Sequence, residues 1–228
     1  MRTLVALFSL AVALASAIPS NAAVTVAKVD PEAGSNTMDA VFDAAIGERI
    51  MAVSSAIGCT VTVDEEKKTG HAVCTVPLAS IKVDNDETKT EHFQQWVTNK
   101  KVDAKQCEFK LDLPNVKVDS TIEPMKPAAF ETTGTFTVCG RARDDNGAEI
   151  IRGTLIYLPA GSYKPNRTLR IRATVDGFNR ERYGIGPGFT PGWLARVQQL
   201  VPVVAKDGAI SVNLFAVEVT PEKSAEAK

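Results

Sequence analysis

Alternation of apolar and polar positions dominates the middle of the chain. From Met51 to Val63, the residues Met51, Val53, Ser55, Ile57, Cys59, Val61 and Val63 share one parity, and Ala52, Ser54, Ala56, Gly58, Thr60 and Thr62 the other. A period of two held over so long a run predicts a β-strand with one wet and one apolar face. The charged run Asp64 to Thr69 interrupts it, and alternation resumes after Gly70 with Ala72, Cys74, Val76 and Leu78. This predicts two long strands joined by a polar turn, a hairpin of the kind that forms walls of barrels and sandwiches.

The same reading runs along the rest of the chain. Met38, Ala40, Phe42, Ala44 and Ile46 alternate with Asp39, Val41 and Asp43 and favour a strand after the turn-forming segment Asp30 to Asn36, although the alanines would also suit a helix. Cys107, Phe109, Leu111 and Leu113 predict another, as do Gly134 to Gly140, Ile150 to Leu158, Leu169 to Val175 and Ile210 to Val219. Pro114 to Glu131 carries three prolines and reads as loop with edge structure. Asn146-Gly147 marks a tight turn. One segment has helical spacing instead. Phe93, Trp96 and Val97 form an apolar stripe, and Asp84 or Asn85 supplies a cap with acidic residues after it. A short helix is also expected over Trp193 to Val204.

The first residues change the compartment. Arg2, the apolar run Leu4 to Ala17 and the small residues around Ala22 match a secretory leader over 1–22, with the folded domain over 23–220 and a polar tail over 221–228. An exported, soluble, periplasmic protein is expected, with no transmembrane segment. Export in turn gives the four cysteines a meaning: an even count in an oxidising compartment points to disulfides. Setting Cys59 opposite Cys74 leaves Asp64 to Thr69 as the turn and keeps both cysteines on the apolar parity. By exclusion Cys107 joins Cys139, although that register sets Phe109 against Thr137 unless a bulge shifts one strand.

Net charge of −1 and 6% aromatic residues give no footprint for nucleic acid. No motif of a metal, cofactor or catalytic centre occurs, so no cofactor and no enzymatic activity are expected. Of the two histidines, His71 lies in the hairpin arm and reads as exposed, and His92 lies in the helix.

Several segments in register resemble the YceI-like family of exported bacterial proteins. They are Ser80-Ile81-Lys82-Val83-Asp84-Asn85 followed by Glu91-His92-Phe93, then Gln106-Cys107-Glu108-Phe109, Gly134 to Arg143, and Gly177 to Gly186. Ala104-Lys105 and Gln95-Trp96 depart from that family's pattern, and the cysteines are not part of it. The resemblance implies an all-β fold, an extended lipocalin-like antiparallel barrel of eight strands with a short covering helix, holding an isoprenoid or fatty lipid ligand. The expected interior is Phe42, Met51, Val61, Val63, Val76, Phe109, Leu111, Phe136 and Val138, lidded by Phe93 and Trp96. At the place of the family's histidine, His92 would either hydrogen-bond a ligand head group or cap a carbonyl. These expectations describe a carrier of an apolar ligand. The alternative is an envelope interaction module whose filled barrel is scaffold, with Pro114 to Glu131 and Tyr183 to Trp193 meeting a protein partner.

Overall fold

The computed structural model describes residues 24–64, 67–117, 122–189 and 204–219. The expected leader and tail lie outside these residues, as does the expected helix apart from Val204. The strands are β1 (Val24–Val29), β2 (Thr37–Ala44), β3 (Arg49–Ser54), β4 (Gly58–Asp64), β5 (Thr69–Pro77) and β6 (Lys82–Val83). After helix α1 (Glu87–Thr98) come β7 (Glu108–Lys117), β8 (Pro127–Val138), β9 (Glu149–Leu158), β10 (Thr168–Asn179) and β11 (Val204–Glu218).

Eight strands close a ring in the order β1-β4-β5-β7-β8-β9-β10-β11, with β11 returning to β1. Every pairing in the ring is antiparallel. Closure removes the exposed sheet edges that an open sheet would leave. Strand β11 is long enough to serve two neighbours on one edge: residues 216–218 pair with β1, and residues between 204 and 213 with β2. From β2 the sheet continues through β3 to the two-residue β6. At this end, among the described strands, β6 pairs with β3 alone, and α1 packs beside it while reaching β7 through Phe93.

The long alternating run is two strands, not one. β3 pairs with β2 and β6, whereas β4 pairs with β1 and β5. Between them the Ser54 hydroxyl accepts from the Ala56 N–H at 3.1 Å and bonds the Ser80 hydroxyl at 2.8 Å. A serine side chain that engages its own backbone draws the chain out of the ladder. The phase inverts across this break: Ala52 and Ser54 are buried in β3, Cys59 and Val61 in β4. Met51 therefore sits on the outer surface, 46% exposed, and not in the interior expected for it.

Other expectations shift more mildly. The hairpin register is Cys59↔Cys74, Val61↔Ala72 and Val63↔Gly70, and the Cys59–Cys74 bridge is formed. Cys107–Cys139 is formed too, but β7 and β8 pair as Phe109↔Val138 and Leu111↔Phe136. The one-residue offset is absorbed at Cys139, whose φ of 46° lies past the end of β8. That offset lets both Phe109 and Phe136 face inward. Strand structure also occupies much of Pro114 to Glu131, because β7 runs on to Lys117 and β8 begins at Pro127. Pro114 is tolerated where the ladder between β7 and β8 has already ended at Asp112↔Thr135. The cap of α1 is Asp86, whose carboxylate accepts from the Lys89 N–H at 2.9 Å. Asp84 instead accepts from the Met51 N–H and pairs with Lys89.

Candidate ligand-binding site

The barrel interior is not packed solid. Where β2, β3 and α1 meet the ring, a cavity of about 240 Å³ opens, and a second of about 390 Å³ lies at the opposite end. The first is the helix-side cavity. Alternation in β2 sends Met38, Ala40 and Phe42 into it, and β3 contributes Ile50 and Ala52. Phe109, Phe136 and Phe178 form the floor, with Phe136 and Phe178 edge-to-face at 5.1 Å between centroids. Small residues make room for large ones here: the Phe42 ring lies against Gly208, where any added Cβ would meet both the ring and the Val41 carbonyl.

Helix α1 supplies the roof. Its apolar stripe puts Phe93 and Trp96 into the cavity and buries Val97 completely. Phe93 stacks on Phe109 at 6.3 Å with the planes 3° apart. Three exposed side chains, Glu48, Lys89 and His92, stand at the mouth.

A buried guanidinium closes the inner wall. Arg180 donates from Nε to the Ala205 carbonyl at 3.0 Å, from one terminal nitrogen to Ile185 at 2.6 Å, and from the other to Val204 at 2.9 Å. It also lies over the Trp96 ring. Burial pushes its pKa below the usual guanidinium value, and Glu181 acts in the opposite direction. Next to it Tyr183 stacks on Phe178 at 5.0 Å and donates to the buried Glu149 carboxylate at 2.6 Å. Burial first, and then Glu149, raises the Tyr183 phenol far above its ordinary range. Arg143 adds an ion pair to Glu149 at 3.2 Å, so the carboxylate beneath the barrel wall is answered.

The structure distributes the expected site residues. Phe42, His92, Phe93, Trp96, Phe109 and Phe136 line the helix-side cavity. Val61 and Val63 line the far one. Val76 and Val138 are buried, Leu111 partly so, and all three line neither cavity. Met51 is outside, as above. His71 is exposed and bonds Asp112 at 2.9 Å on the barrel surface beside the far cavity. Sequence reasoning did not single out Ala40, Ile50, Phe178, Arg180 or Ile210. The alternation of β2 and β11 marked the face on which Ala40 and Ile210 lie; nothing in the pattern marks a buried arginine.

Chemically, the helix-side cavity can hold an apolar body and leave a polar end at Glu48, Lys89 and His92. Among the described residues no three His, Cys, Asp or Glu side chains form a group fit for a metal ion. No described helix is long and apolar enough to cross a membrane.

No family model matches the chain, and no curated protein matches its sequence. Solved structures do. One is a polyisoprenoid-binding domain from Saccharophagus degradans implicated in plant cell wall breakdown, with a TM-score of 0.57 over 86% of this chain and 100% of that one. At 10% identity the likeness is one of fold.

Proposed function

We propose that this protein is a non-enzymatic carrier or sequestering protein of the bacterial envelope, holding an isoprenoid or related amphiphilic chain inside its barrel. The observation that carries this reading is the helix-side cavity, walled by apolar side chains from β2, β3, β7, β8 and β10 and roofed by Phe93 and Trp96. Each methylene buried there contributes roughly 0.8 kcal/mol, so a chain gains affinity without specific polar contacts. The binding set is Phe42, Phe93, Trp96, Phe109 and Phe136, with His92 at the mouth to meet a head group.

Three further facts support it. The chain resembles the YceI-like family in several segments, the neighbouring fold belongs to a polyisoprenoid-binding domain, and two disulfides suit an oxidising compartment such as the periplasm. The test is titration with a prenyl alcohol, read by the emission of Trp96 in a Trp193→Phe background. Binding should shift that emission, and Ala40→Phe, which fills the cavity without adding a tryptophan, should abolish the shift while far-UV circular dichroism stays unchanged. A wild-type protein that binds no prenyl or alkyl chain would remove the carrier reading.

A further inference from the structure

The two cavities share no lining residue. Between them lies a layer of side chains drawn from almost every strand of the ring: Cys59 with Cys74, then Leu111, Ile151, Val175 and Leu214. Ile151, Val175 and Leu214 are each at most 4% exposed and share the strand parity of the cavity-lining Leu155, Ile171 and Ile210, so they point inward. On β8 the layer is completed by Gly134, over which the ends of Leu111 and Leu113 lie. The separation is readable along single strands. On β8, Phe130 belongs to the far cavity and Phe136 to the helix-side one, six residues or about 20 Å away. On β10 the far cavity has Leu169 and Ile171, the helix-side cavity Phe178, and Val175 stands between.

The far cavity is built as a site in its own right. Its body is apolar, with Val61, Val63, Leu113, Phe130, Leu155 and Ile171 among its walls. At about 390 Å³ it falls within the size of small-molecule pockets, roughly 300 to 1,000 Å³. Gly153 carries no side chain beneath the Phe130 ring, which leaves the ring seated against the wall and the space in front of it open. Its mouth is polar, and most of the charges there are answered by the protein. Arg167 grips Glu218 through two hydrogen bonds of 2.7 and 2.6 Å and donates to the Thr25 hydroxyl at 2.8 Å. Asp64 pairs with Lys67, and His71 with Asp112. Lys68 also lines the mouth with no ion pair among the described residues, so a polar head group meets both hydrogen-bonding groups and one cation there.

We infer that the far cavity is a second binding site, separate from the helix-side one, for a short alkyl or prenyl chain with a polar head such as a hydroxyl at the mouth. The barrel then holds two short chains at once, and one long chain threads it only if the layer around Leu111 and Ile151 parts. This inference rests on the carrier reading and extends it.

The test uses 1-decanol with the full chain, counted by native mass spectrometry, and 10-bromodecanol located by anomalous scattering in a crystal. Two bound chains are expected, with bromine in both cavities. Ala40→Trp should remove the helix-side chain alone, and Ala72→Trp the far chain alone, each leaving a count of one. Far-UV circular dichroism checks that both variants fold, and the bromine positions need no variant. Saturation at one chain, or bromine in the helix-side cavity only, overturns the second site and leaves the carrier reading standing. No bound chain at all removes both.

Discussion

The guanidinium carbon of Arg180 lies 5.9 Å from the centre of the Trp96 ring, joining the turn after β10 to the helix over the cavity. The same side chain holds the carbonyls of Val204 and Ala205 at the start of β11 and of Ile185. One buried residue thus fixes three carbonyls on two stretches of backbone and the roof of the cavity.

Arg180→Met should therefore destabilise the protein by about 2 to 4 kcal/mol, since it strands buried carbonyls that had a charged donor. Arg180→Lys should recover only part of the loss, because an ammonium cannot span the three acceptors in one plane. Chemical denaturation gives the stabilities, and in a Trp193→Phe background the Trp96 emission of the folded state should redden in the methionine variant. Equal stability of all three proteins would contradict the role given to Arg180.

The disulfides should contribute separately. Cys59 and Cys74 are 15 residues apart, and removing that bridge by paired alanines should cost about 3 kcal/mol. Cys107 and Cys139 are 32 apart, and their removal should cost slightly more on chain entropy. Non-reducing peptide mapping should show these two linkages, and denaturant melts of the two double variants give the order.

How much of this was legible beforehand differs by feature. The hairpin register around Cys59 and Cys74 could be read because turn, cysteines and apolar parity agreed. The stripe Phe93, Trp96 and Val97 could be read because helical spacing is a local signal. The break at Ser55 to Ile57 could not. Alternation reports that neighbours point to opposite faces, not which face is inward, so a strand end that inverts the phase leaves the pattern intact and misplaces Met51. Pro114 likewise suggested a loop because its effect depends on whether a partner strand lies beside it. Arg180, Glu149 and Tyr183 find one another only in the folded chain, and the layer that divides the interior is assembled from several strands far apart in sequence.

Gly153 should resist substitution. A Cβ there would meet the Arg172 carbonyl and, at 2.6 Å, the Phe130 ring, so Gly153→Ala should cost about 1 to 3 kcal/mol by overpacking. Gly161, with open space around it, has no such contact but a φ of 79°, and its alanine variant isolates the backbone cost. A thermal melt of Gly153→Ala matching wild type would show that the Phe130 wall is loose.

Acid should weaken the barrel. Hydrogen bonds from Arg167 hold the Glu218 carboxyl below its ordinary 4.5, and those from Arg143 hold Asp145 well below 3.8. A depressed carboxylate contributes stability that is complete above its ordinary value and is lost as pH falls through the folded one. Denaturation midpoints should thus be flat from pH 7 to about 5 and fall below about pH 4. Glu218→Gln should flatten part of that fall, and added salt should shrink it, because these pairs are solvent-exposed in part.

The central claim is that the barrel carries an apolar chain. Organic extraction of the folded protein, purified from cells that make it naturally, followed by mass spectrometry of the extract, tests it most directly. The account predicts a stoichiometric isoprenoid or related amphiphile that is lost from the Ala40→Trp variant. An extract without lipid, from a protein that also takes up no added prenyl or alkyl chain, would contradict it.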